Sequence, residues 1–119
     1  MDISKKDWKL YREKLPGWQE RYMEGLVKEY IDILSSDEKY ASDKFWELEE
    51  RIKKDKKHPG VLMEVTKADA LTDIIRLINL DVITHDDLAD FSEDLKKDIE
   101  FLLERLSYEY DFRTVHREV

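Results

Sequence analysis

Trp18, Tyr22, Leu26, Tyr30 and Leu34 recur at every fourth position, with Met23, Val27 and Ile31 beside them. A strand would send Met23, Val27 and Ile31 to the face opposite the other five, so only a helix gathers all eight on one side. Little in the chain competes with helix formation, because it holds only three glycines and two prolines. The two prolines each precede a glycine, at Pro16-Gly17 and Pro59-Gly60, and these pairs predict the main breaks.

The same periodicity predicts helices at roughly 5–14, 18–35, 43–57, 61–80, 85–91 and 93–110, an all-α single-domain bundle of about five to six helices. Ser4, Ser42 and Ser92 stand where N-caps are wanted, and Thr84 with Asp87 three positions later can form a capping box. Leu62, Val65, Ala68, Leu71, Ile75 and Ile78 make one stripe, and Leu95, Ile99, Leu102, Leu103, Leu106 and Tyr110 make another. Leu71, Ile75, Ile99 and Leu102 lie mid-stripe and are predicted core. Phe45, Trp46, Leu48, Glu49 and Ile52 give the third helix a mixed face. Trp18 and Trp46 sit at helical spacing with other apolar residues and are expected to be buried, while Trp8, on a short terminal helix, is the expected exposed anchor. Tyr108, Tyr110 and Phe112 alternate with charged residues, which leaves helix and strand both open there.

At 119 residues the chain suits one domain, and its 41% hydrophobic content can supply one core. The 42% of charged residues must then cover nearly the whole surface. Without cysteine, disulfides, thiolate metal sites and thiol nucleophiles are excluded together, and a reducing, cytoplasmic setting is expected. No apolar run approaches the roughly 18 residues that would span a bilayer, and the first residues lack a signal-peptide core. Residues 1–60 balance 14 basic against 14 acidic side chains, whereas residues 61–119 hold 7 against 15 and so carry the whole net charge of −8. Such a balance opposes general affinity for nucleic acid or anionic membrane.

Catalytic chemistry has poor material. His58, His85 and His116 form no ligand-spaced pair, and Asp86 and Asp87 beside His85 are explained by the helix dipole. Asn79–Asp86 lacks the glycine and terminal glutamate of a calcium loop. No glycine-rich phosphate loop is present. A helix-turn-helix reading of 71–91 fails on charge, because the segment that would enter the groove offers Asp86, Asp87 and Asp90 and no Lys or Arg. No catalytic, cofactor-binding or metal residue is therefore expected. Lys53, Lys54, Lys56 and Lys57 could touch phosphate or an acidic partner, but a helix C-terminus, where cations offset the dipole, already accounts for them. The acidic segment from Asp81 to Glu100 sets eight carboxylates against two lysines. Asp86 with Asp90 and Asp94 with Asp98 stand four apart, a spacing that costs helix stability. Asp86, Asp87, Asp90, Glu93, Asp94, Asp98, Glu100 and Glu104, with Trp8, are the candidate partner-binding residues.

The segments Arg12–Tyr22, Lys44–Ile52 and Asp55–Val61, together with Val82-Ile83-Thr84 leading to Asp87-Leu88 and Asp90-Phe91-Ser92, resemble small acidic helical proteins of Gram-positive bacteria and their mobile elements. Mobile elements of such hosts carry inhibitors of host defence, including anti-CRISPR proteins. The resemblance implies a non-enzymatic protein whose acidic face occupies the groove of a CRISPR nuclease or another basic nucleic-acid-binding protein, without itself binding nucleic acid or membrane. The alternative is a homodimeric helical interaction or regulatory module with exposed aromatic residues.

Overall fold

A computed structural model describes the backbone of residues 2–118 and the side chains of residues 2–105. The readings made for the side chains of Leu106, Tyr108, Tyr110, Phe112 and His116 lie outside these residues. The described chain is all-α: α1 is Lys5–Leu34, α2 is Ala41–Asp55, α3 is Ala70–Asn79, a single 3₁₀ turn spans His85–Leu88, and α4 is Glu93–Glu118. Four α-helices thus stand where the spacing predicted five to six. Among the described residues none of the helices is long and apolar enough to cross a membrane.

The first difference lies at Pro16, which sits inside α1 and does not end it. Proline there forgoes one intrahelical bond and strains the preceding turn, at a cost of about 3 kcal/mol. Against this, an apolar stripe runs through the proline without losing register: Tyr11, Leu15, Trp18 and Leu26 are all buried. Each such side chain contributes roughly 1.5–3 kcal/mol on burial, so the stripe outweighs the missing bond.

The chain divides into two compact units, one made of the residues up to Tyr11 and from Thr66 onward, the other of Arg12–Val65. α1 contributes its start to the first and the rest to the second. The first unit holds a dense apolar core in which Ile74, Leu77, Ile83 and Ile99 are almost wholly enclosed. Of the four residues predicted as core, Leu71, Ile75 and Ile99 are buried, while Leu102 is half-buried.

Asp7, the one buried charged residue among those described, ties this unit together. Ser4 Oγ accepts the Asp7 N–H at 3.1 Å, capping α1 as expected. The Asp7 carboxylate accepts the Ser92 N–H at 3.0 Å and the Ser92 hydroxyl at 2.6 Å. Ser92 Oγ in turn accepts the Leu95 N–H at 3.1 Å, which caps α4. A single serine thus joins the starts of two helices distant in sequence.

The expected helix over 61–80 begins only at Ala70. Leu62 and Val65, placed on its stripe, are 71% and 39% exposed, and Ala68 is exposed as well. The cause is a local turn: Thr66 Oγ1 accepts the Asp69 N–H at 3.3 Å and donates to Asp69 Oδ2 at 2.9 Å. Such bonding competes with helix for residues 66–69. At its other end α3 closes in a Schellman motif, with the Val82 N–H bonded to Leu77 O at 2.9 Å and the Asp81 N–H to Ile78 O at 3.1 Å. Asp81 takes the left-handed position with φ 59°, a conformation Asp tolerates better than most residues. The Thr84–Asp87 capping box forms as predicted, with the Thr84 N–H donating to Asp87 Oδ2 at 2.8 Å. It opens the 3₁₀ turn and not an α-helix over 85–91.

In the second unit α1 and α2 form a hairpin. α2 starts at Ala41 after Tyr40, without the side-chain cap expected from Ser42. Its last turn carries Lys53 and Lys54, so these two cations do offset the dipole as anticipated. The turn after α2 docks on α1: Gln19 Nε2 donates to Pro59 O at 3.0 Å, and the Tyr22 ring stacks on His58 at 4.5 Å between centroids. Gly60 is needed here for close approach, since a Cβ at this position would lie 2.3 Å from the Tyr22 ring.

Candidate functional site

The acidic residues occupy consecutive elements of the first unit. Asp86, Asp90, Glu93, Asp94, Glu100 and Glu104 are exposed, whereas Asp87 and Asp98 are half-buried. Asp87 is committed to the capping box, and Glu93 pairs with Lys96 at 3.2 Å. Lys96 Nζ also donates to the Ala89 carbonyl at 3.0 Å. Helical spacing sets Glu93, Lys97, Glu100 and Glu104 along one side of α4, with Phe101, 52% exposed, beside them. The segment is therefore acidic but interrupted by cations and by an exposed aromatic ring. Trp8 is half-buried, its ring 6.1 Å from that of Tyr11, so it is a partial anchor at most.

A second surface, in the other unit, was not among the sequence candidates. No residue of α2 is buried. Trp46, expected in the core, is 61% exposed and packs edge-on against Phe45, itself 63% exposed. The reason is compositional: nine of the fifteen residues of α2 are charged, too many for the helix to be enclosed on several sides. That count is the signal a sequence reading could have used against a buried Trp46.

Several polar contacts join α2 to α1. Arg51 donates to Glu29 at 2.8 Å, and its guanidinium stands 5.7 Å from the centre of the Tyr30 ring. The Tyr30 hydroxyl donates to Asp55 Oδ2 at 2.5 Å. Burial, then the bond to Asp55 and that carboxylate's charge, push the Tyr30 phenol up to about 12. Burial chiefly, with Asp55 and Glu29, also raises the Tyr22 phenol. These groups join the two helices, while Val27, Ile31, Leu34, Phe45, Trp46 and Ile52 remain exposed.

Two hollows mark the outward face. One, of about 320 Å³, is lined by Phe45, Leu48, Glu49, Ile52, Lys53 and Lys56. The other, of about 240 Å³, brings Met23, Leu26, Val27 and Tyr30 of α1 against Ile52 of α2. Ile52 belongs to both, so the apolar surface is continuous from one helix to the other. Val27, Ile31 and Leu34 extend it along α1 with 52%, 56% and 45% exposure.

Among the described residues no group of three or more His, Asp or Glu side chains could hold a metal ion. Comparisons with protein-family models, with curated proteins and with solved structures give no match.

Proposed function

We propose that this chain is a non-enzymatic protein-binding module and that the apolar face of the α1–α2 hairpin makes the contact. The observation that carries this reading is that α2 leaves Phe45, Trp46 and Ile52 exposed and buries none of its residues. A 15-residue helix is marginal in water by itself and gains most of its stability from packing an apolar face. Continuous exposed apolar patches on soluble proteins mark interaction surfaces, and aromatic residues are enriched at their centres. The reading is the interaction-module alternative drawn from the sequence, and its aromatics are Phe45 and Trp46 in place of Trp8.

A second reading is favoured by the exposure of Asp86, Asp94, Glu100 and Glu104. Here the acidic segment occupies a basic nucleic-acid groove, as an anti-CRISPR protein would in a CRISPR nuclease, with complementary potentials speeding encounter. Photoreactive side chains separate the two. Placed at position 46 and, in a separate variant, at position 94, they are to be activated in cells that express the protein. Adducts at 46 and not at 94 support the hairpin face. Adducts confined to 94, in a nucleic-acid-binding protein and lost at high salt, overturn it in favour of the acidic segment.

A further inference from the structure

Resting on the hairpin reading, we propose that the partner seated on α2 is a second copy of this chain, packed antiparallel about a two-fold axis passing between Glu50 and Arg51. The argument begins with charge. Residues 37–50 hold six acidic side chains and two lysines, whereas residues 51–57 hold five basic side chains and one acid. α2 therefore changes sign at its middle: residues 41–50 carry a net −3 and residues 51–55 a net +2, and the flanking residues 37–40 and 56–57 extend the same signs.

Compensation of the helix dipole accounts for only part of this pattern, because that effect is confined to the first and last turns. Asp43 lies in the first turn and Lys53 and Lys54 in the last. Glu47, Glu49 and Glu50 lie farther in, and Lys56 and Lys57 beyond the helix end. A partner of one sign would suit half of this surface and oppose the other half. A second α2 running the opposite way suits both halves.

The outward stripe has the same symmetry. Phe45, Glu49, Ile52 and Lys56 follow one another at intervals of four, three and four, a sequence of spacings that reads identically in reverse. All four line the hollow on the outward face, with Leu48 and Lys53 flanking them. An axis between Glu50 and Arg51 sets Phe45 of one copy opposite Lys56 of the other, and Leu48 opposite Lys53. The lysine stems then cover the apolar side chains while their ammonium groups reach the rim, and an ammonium above the Phe45 ring is attracted to its face. Glu49 comes opposite Ile52 and beside Lys53, twice over by symmetry. A parallel pair would instead set Glu49 on Glu49 and the lysines on the lysines, so like charges exclude it.

Sedimentation of the full chain from about 1 µM to about 1 mM tests the inference across the affinities of weak and moderate dimers. The parent should form a reversible dimer. Glu49→Lys alone and Lys53→Glu alone each disrupt two symmetry-related charge pairs, and each should raise Kd about tenfold. The Glu49→Lys/Lys53→Glu double variant exchanges the two signs and should return to within about threefold of the parent. Helicity by circular dichroism confirms that each variant is folded; should Lys53→Glu unfold, the Glu49→Lys and double variants still decide. A parent that stays monomeric throughout overturns the second-copy inference, and so does a dimer indifferent to both single reversals or not restored by the double one. If a monomeric parent still forms adducts from position 46 with another protein, only this inference fails and the hairpin reading stands.

Discussion

Residues 66–105 enclose Ile74, Leu77, Ile83 and Ile99 almost completely, whereas between residues 35 and 65 only Pro59 and Gly60 are buried. α3 buries five of its ten residues and α2 none of its fifteen. Both are regular helices with apolar residues at helical spacing, so periodicity does not separate them. The difference lies in what shares the turn with the apolar side chains. α3 packs Leu71, Ile74 and Ile75 into a contiguous ridge with Ala70 and Leu77, while α2 surrounds Phe45, Leu48 and Ile52 with glutamates and lysines. One helix contributes a core and the other a face, and the stability of the chain should be distributed accordingly.

The sharpest way to break this comparison is a matched pair of truncations. Ile74→Ala removes a wholly buried side chain and should cost about 2–5 kcal/mol in urea unfolding, while Phe45→Ala should cost less than about 1 kcal/mol. Equal losses would mean that α2 is packed as tightly as α3. Next in size comes Asp7→Ala, which deletes the carboxylate that holds Ser92 and should lower stability by about 2–3 kcal/mol. Its effect should appear as earlier hydrogen exchange at the start of α4, with the hairpin amides unchanged.

In the hairpin, Gly60→Ala drives a methyl group into the Tyr22 ring and should cost about 1–2 kcal/mol as the ring is displaced. A thermal melt identical to the parent's would show that Tyr22 yields freely. Tyr30→Phe removes the hydroxyl bonded to Asp55 and should cost about 1 kcal/mol. The pH dependence has a definite sign: the phenol is raised from its ordinary 10.0 to about 12 in the fold, so its contribution is complete below the ordinary value and is lost as pH rises through about 12. The gap between parent and Tyr30→Phe in denaturant midpoint should therefore be constant up to pH 10.0 and narrow above it. Asp81→Gly should have the smallest effect, a gain of about 0.5 kcal/mol from relief of the left-handed backbone at φ 59°. A loss of stability instead would indicate that the Asp81 side chain supports the Schellman turn.

Legibility followed the range of the interactions. The caps at Ser4 and Ser92 and the Thr84–Asp87 box depend on residues three apart and were readable directly. Thr66–Asp69 is a pattern of the same range, and it went unread because Leu62, Val65 and Ala68 keep helical spacing across it. The stripe from Tyr11 to Leu26 likewise held the information that α1 passes through Pro16, although the Pro16-Gly17 pair suggested a break. The acidic segment was legible as a composition. The two lysines within it were legible too, but that the exposed Phe101 ring lies beside its carboxylates became clear only with the faces of α4 assigned.

By itself the sequence determined that the chain is helical, where α1, α4 and the 3₁₀ turn are capped, and that its negative charge lies toward the second half, because each of these depends on neighbours within one or two turns. Only the tertiary structure decided which apolar stripes have something to pack against. Trp18 is 6% and Trp46 61% exposed: the charge around Trp46 argues against enclosing it, but helical spacing is silent about which stripe distant chain arrives to cover. The same holds for Asp7, whose partner Ser92 lies 85 positions away, and for the exposed face of α2, whose helix is joined to α1 through Arg51, Tyr30 and Asp55.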